Sequence, residues 1–140
     1  VRNVLGFRDA DHQETAPDAS TLAVTALSCS LVGQEHEVKF LPGSLARSFC
    51  GEDSRVEDYY CNYGINPEFV PLMEGSGLKV GATDAEGDVR LVERIDHPFF
   101  MGTLFLPQTR STKASSHPLL VAFERAVLSQ IGSNRESGVT

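Results

Sequence analysis

The sequence lacks the features that would assign it to several large classes. No run approaches the roughly 20 apolar residues that a membrane span needs, and no Lys/Arg cluster interrupts a formal charge of −7. Without a basic patch, the electrostatic attraction behind phosphate-backbone binding has nothing to act through, which disfavours nucleic acid and anionic membrane surfaces. Cys29, Cys50 and Cys61 form an odd set without paired spacing. That argues against a disulfide framework and a zinc ribbon, and it suits a reducing cytoplasm. His12 and His36 show no ligand-like spacing with each other or with a cysteine, and neither metal nor cofactor is expected. The start "VRNVLGFRDADHQ" has neither an initiator Met nor the basic-then-apolar order of a signal peptide, so a processed chain or a fragment is expected.

What remains is one ordinary domain of 140 residues with alternating elements. "VRNVLGF" reads as the last turns of a helix ending at Gly6. "TLAVTAL" and "EHEVKFL" read as strands, and "PGSLARSFCG" as a short helix opened near Pro42 and closed by Gly51. "RVEDYYCNYGI" is rich in β-formers. In "NPEFVPLMEGSG", Asn66 is suited to cap a helix whose first residue is Pro67. "LKVGATDAEGDVRLVERI", two alternating runs around an acidic, Gly-containing turn, predicts a β-hairpin.

The run Phe99 to Leu106 reads as a central strand stopped by Pro107. "SSHPLLVAFERAVLSQIG" predicts an amphipathic helix capped by Ser116, with Leu119, Leu120, Phe123, Val127 and Leu128 on its apolar face. A domain over 1–132 and a flexible polar tail over 133–140 follow. His97 and His117 each precede a proline, where turn geometry is the expected role.

These elements favour a three-layer α/β arrangement. The signatures "RNVLG", "DADHQETAPD", "PGSLARSFCG", "YGINPEFVPLMEGSGLKVGATDAEGDVRLVERIDHPFF" and "SSHPLLVAF", in that order, resemble the C-terminal half of the glutamine amidotransferase domain of CTP synthases. The resemblance implies a flavodoxin-like class I amidotransferase fold: a mixed sheet with a β-hairpin, whose N-terminal half lies upstream of residue 1. It also implies glutamine hydrolysis by a Cys thiolate, with a His as base and an acidic residue orienting it.

In that family His and Glu stand in a Phe-His-Pro-Glu sequence. The matching residues here are Phe105, Leu106, Pro107 and Gln108, so both proton-handling groups are replaced. The nucleophile elbow would precede residue 1. Asn62 falls where a family arginine holds the substrate carboxylate, and it supplies no charge for such a clamp. Glu14 matches a family Glu that contacts glutamine, and Cys61 and Tyr63 complete the candidate ligand-binding set.

Two functions are consistent with this pattern. One is a CTP synthase-related binding or regulatory module without normal glutaminase activity, taking a small molecule such as an amino acid. The other is a cysteine-dependent enzyme with an altered substrate, using an upstream Cys or Cys61. Expected partners are the upstream half of the domain and, as an open alternative, a second copy. The expected location is the cytoplasm, in pyrimidine metabolism.

Overall fold

The computed structural model describes residues 1–73 and 75–137, with side chains through residue 132. Eight strands form two sheets. The smaller contains β1 (Ala10–His12), β2 (Thr21–Ala26) and β5 (Tyr63–Ile65) in the order β1-β2-β5. Its β1–β2 pair is parallel and its β2–β5 pair antiparallel, so the sheet is mixed. The larger runs β4-β3-β6-β7-β8, from β3 (Gln34–Phe40), β4 (Ser54–Tyr59), β6 (Leu78–Thr83), β7 (Val89–Arg94) and β8 (Met101–Thr103), and is antiparallel throughout.

The hairpin is β6–β7. Its turn is shaped by Asp84, whose carboxylate accepts from the Glu86 and Asp88 amides at 3.1 and 2.8 Å. Gly81 in β6 is required by close approach: a Cβ there would lie 2.5 Å from Leu91 Cδ2 and 2.7 Å from Glu93 Oε2. That space admits the buried Glu93 carboxylate, which accepts from the Leu45 and Ala46 amides at 2.8 and 3.0 Å. These are unpaired donors at the start of α1 (Leu45–Cys50), so a core carboxylate and a helix terminus satisfy each other. Ser44 caps α1 and Gly51 closes it in the left-handed conformation, so the helix starts past Pro42.

Asn66 caps the 3-10 turn Pro67–Phe69, which leads into the single turn of α2 (Val70–Met73). The segment 54–65 is two strands in two different sheets.

Several expectations fail for identifiable reasons. Residues 1–6 make one turn, with the Leu5 amide donating to the Val1 carbonyl at 3.0 Å, and no helix. The run 99–106 is not a central strand. β8 covers only Met101–Thr103 and ends the strand order. The His97-Pro98 turn, where the Phe99 amide donates to His97 Nδ1 at 3.2 Å, aims Phe99 at Phe49 and Phe123. Beyond β8 the chain reaches the opposite edge of the sheet. Phe105 bridges Tyr59, and the Leu106 amide donates to the Asp58 carbonyl at 2.9 Å. The five-stranded sheet therefore curls until its two ends meet.

The last helix, α3 (Pro118–Ser137), is capped by His117 instead of Ser116. It continues through 133–137 of the segment read as a tail, and 138–140 lie outside the described residues. Of its apolar face only Leu119 is buried; Leu120, Phe123, Val127 and Leu128 are exposed. The core lies on the side of the curled sheet that carries Val38, Phe40, Tyr59, Leu91 and Phe105, closed by Ala46 and Leu119. A second cluster, with Ala10, Ala23, Phe69, Met73 and Leu78, joins the two sheets.

Candidate functional site

The seam between Tyr59 and Phe105 places Leu106 beside the end of β4. Just beyond Tyr59 in the chain, Asn62 precedes β5. Its carbonyl accepts from the Leu27 amide at 2.8 Å, and its side chain faces solvent. Tyr63 begins β5 and packs its ring on His12, with centroids 5.0 Å apart. The Glu14 amide donates to His12 Nδ1 at 3.1 Å, so Glu14 sits beside the same ring, exposed. These positions form the candidate rim: Glu14 and Tyr63 meet through His12, Asn62 precedes Tyr63 in the chain, and Leu106 pairs with the end of β4. Leu106 is half-buried and Gln108 exposed. Neither side chain can pass a proton at neutral pH.

Cys61 lies in the same connection. Its thiol donates to the Tyr63 carbonyl at 3.1 Å and accepts from the Tyr63 amide at 3.4 Å, a local turn contact with no histidine in it. Of the three tyrosines, Tyr59 is a core residue, Tyr60 is exposed and Tyr63 is the one at the rim. Among the described residues no group of three metal-ligating side chains converges.

Burial pushes the Cys50 thiol up to about 12, whereas Cys29 is exposed. Alkylation of the native protein at pH 8 is expected to modify Cys29 and spare Cys50 until denaturant is added. Mass mapping of the adducts reads this directly, and early Cys50 labelling would contradict the packing. Because the folded form holds this thiol protonated, its effect on stability is absent below the free-thiol range near pH 8.5. Stability falls as the pH rises from there toward 12, where the unfolded chain ionises first.

Sequence reasoning missed the groups that brace this rim. Asp58 accepts from Thr109 Oγ1 at 2.6 Å and from Arg110 Nε at 2.9 Å, and Arg110 also pairs with Glu35 at 2.9 Å. The Thr109 and Arg110 hydrogen bonds hold the Asp58 carboxyl below its ordinary range. The contribution of the brace to stability is therefore present above the ordinary range and is lost as the pH falls below it, through the lowered folded value.

Deeper still, His117 Nε2 lies 2.7 Å from Glu57 Oε1, with both side chains fully buried. The Leu119 amide donates to His117 Nδ1 at 3.2 Å, so Nδ1 is the acceptor and the ring donates to Glu57 through Nε2. Arg55 Nε stands 3.2 Å from the same carboxylate oxygen. Histidine before proline at a helix start was the one legible signal. Nothing local marks Glu57 as its partner.

A class I glutamine amidotransferase fold accounts for this arrangement of strands, hairpin and terminal helix. The glutaminase domain of Trypanosoma brucei CTPS with bound acivicin superposes with a TM-score of 0.83 at 23% identity, over 91% of this chain and 54% of that one. A putative GMP synthase component from Thermoplasma acidophilum gives 0.61 at 14% identity, over 80% of this chain and 51% of that one.

In sequence, the CTP synthase of Carboxydothermus hydrogenoformans is 31% identical over 143 residues, covering 91% of this chain and 26% of that enzyme. That of Halobacterium salinarum is 31% identical over 154 residues, covering 100% and 28%. The chain is part of a glutamine amidotransferase domain of the CTP synthase type. It spans about a quarter of the length of the curated relatives it matches. No family model matches it.

Proposed function

We propose that this chain is part of a CTP synthase-related amidotransferase-like domain without normal glutaminase activity, serving as a small-molecule-binding or regulatory module. The observation that carries the reading is the pair Leu106 and Gln108 at the strand exit, where the resemblance sets the base and its orienting carboxylate. Without them a thiol stays near its ordinary pKa of about 8.5, only a few per cent thiolate at neutral pH. Loss of such groups removes several powers of ten in rate.

Asn62 supports weak binding of glutamine itself, since it offers no positive charge to a carboxylate. The exposed faces of Leu120, Phe123, Val127 and Leu128 support a covering polypeptide, which we assign to the remaining half of the domain. The likeness to CTP synthases supports a location in the cytoplasm and a role near pyrimidine metabolism. Among the described residues, no helix is long and apolar enough to cross a membrane.

The full-length protein is expected to release ammonia from glutamine at no more than background rate and to show no micromolar glutamine affinity by calorimetry. Turnover at rates typical of the family would refute the first expectation, and a micromolar isotherm the second.

A further inference from the structure

Arg90 in β7 is a buried cation that the candidate site does not use. The residue is 6% exposed, and its Nη2 alone makes its ion-pair contacts, to Asp84 at 2.5 Å and Asp88 at 3.4 Å. Among the described residues, Nε and Nη1 donate to no protein acceptor. A guanidinium presents its donors as a fixed planar fork, so two of its three nitrogens remain available to one further oxygen-bearing group.

Two cavities meet at this residue. One, of about 220 Å³, lies between β5 and the hairpin and has Thr25, Ser28 and Asp88 among its lining. The other, of about 190 Å³, is walled by Ile65, Val92 and Leu104. Both are lined by Ile65, Val89 and Arg90, so a chamber of mixed polar and apolar lining adjoins a mostly apolar one through the arginine.

The charges select the ligand. Arg90 calls for a carboxylate or phosphate oxygen, but Asp84 and Asp88 stand beside it and would repel a doubly charged phosphate. Asp84 is nearly buried and committed to Arg90. Asp88, with a side chain 53% exposed, is only loosely held at the mouth and is open to a cation. A group carrying both an ammonium and a carboxylate satisfies Asp88 and Arg90 together, and the second cavity then receives an aliphatic side chain.

We propose that the Asp88–Arg90 pocket between β5 and the β6–β7 hairpin binds a free α-amino acid with an apolar side chain. This site is separate from the rim that carries Leu106 and stands whether or not glutaminase activity is absent.

Calorimetric titration of the full-length protein with L-leucine, L-glutamine, 4-methylpentanoate and 3-methylbutylamine tests it. The last two share the aliphatic tail of leucine but lack its ammonium or its carboxylate. Leucine should bind, and each of the other three should be weaker by about tenfold or more, since each leaves a polar group of ligand or pocket unpaired. Asp88→Asn, at an exposed position, and Ser28→Trp, at the mouth, should each weaken leucine by at least about tenfold while leaving the melting temperature near that of the parent. No leucine binding by the parent overturns the proposal. So does equal binding of leucine by the parent and both variants, or glutamine binding as tightly as leucine.

Discussion

Glu57→Ala will cost about 3 kcal/mol of folding stability, because removing one member of a buried charged pair strands the others. In the parent, Glu57 Oε1 receives His117 Nε2 at 2.7 Å and Arg55 Nε at 3.2 Å, within a fully buried setting. After truncation Arg55 can turn to water, since its side chain is 28% exposed, but the imidazole N–H has nowhere to go. His117 also caps α3, so its displacement frees the Leu119 amide as well. The loss should therefore reach the helix as well as β4.

Glu57→Gln, which keeps an acceptor of the same shape, should cost distinctly less. Urea unfolding of the parent and both variants decides the matter. Equal midpoints for Glu57→Ala and Glu57→Gln would show that an acceptor at residue 57 is not what holds His117 and β4 together.

Restoring the acid-base pair should change the chemistry of an upstream nucleophile cysteine, where the full-length protein carries one. Leu106→His with Gln108→Glu places an imidazole at the strand exit and a carboxylate to orient it. The backbone there is already fixed by the Leu106 amide bond to Asp58 and by the Thr109 and Arg110 contacts to the same residue. An adjacent imidazolium favours thiolate, so the pH profile of iodoacetamide alkylation should move to lower pH.

Glutamine turnover in that double variant should stay low, because Asn62 holds no carboxylate and positioning is worth several kcal/mol of barrier. Adding Asn62→Arg should then raise ammonia release more than the same change does in the parent, as expected of groups that act as one site. An unmoved alkylation profile in the double variant would mean that residue 106 does not face the nucleophile.

Elements governed by neighbours in the chain are legible in the sequence. Gly51 ends α1 in the left-handed region, Asn66 and Pro67 open the 3-10 turn, and the alternating runs around the Asp84 turn become β6 and β7. Each depends on contacts within one short continuous stretch of the chain. The run 99–106 misled because hydrophobicity does not say what a residue packs against. Phe99 serves the helices through Phe49 and Phe123, and Phe105 serves the seam with Tyr59.

Ser116 is the better cap by residue type, yet the imidazole of His117 reaches the Leu119 amide while holding Glu57, a partner 60 positions away. At the site, Leu106 and Gln108 are singled out only through likeness to a family. The bracing Asp58 could not, because its partners Thr109 and Arg110 lie 51 and 52 positions away.

The meeting of the two ends of the five-stranded sheet has a consequence for how this unit can grow. Where Tyr59 and Phe105 face each other, the backbone groups that would recruit another strand are already engaged. A further strand could enter there only by tearing the seam open. The three-stranded sheet is different: β1 and β5 flank β2, and β1 is only three residues long. At the seam the curled sheet is closed to addition, whereas both margins of the small sheet keep backbone groups that a further strand could pair with.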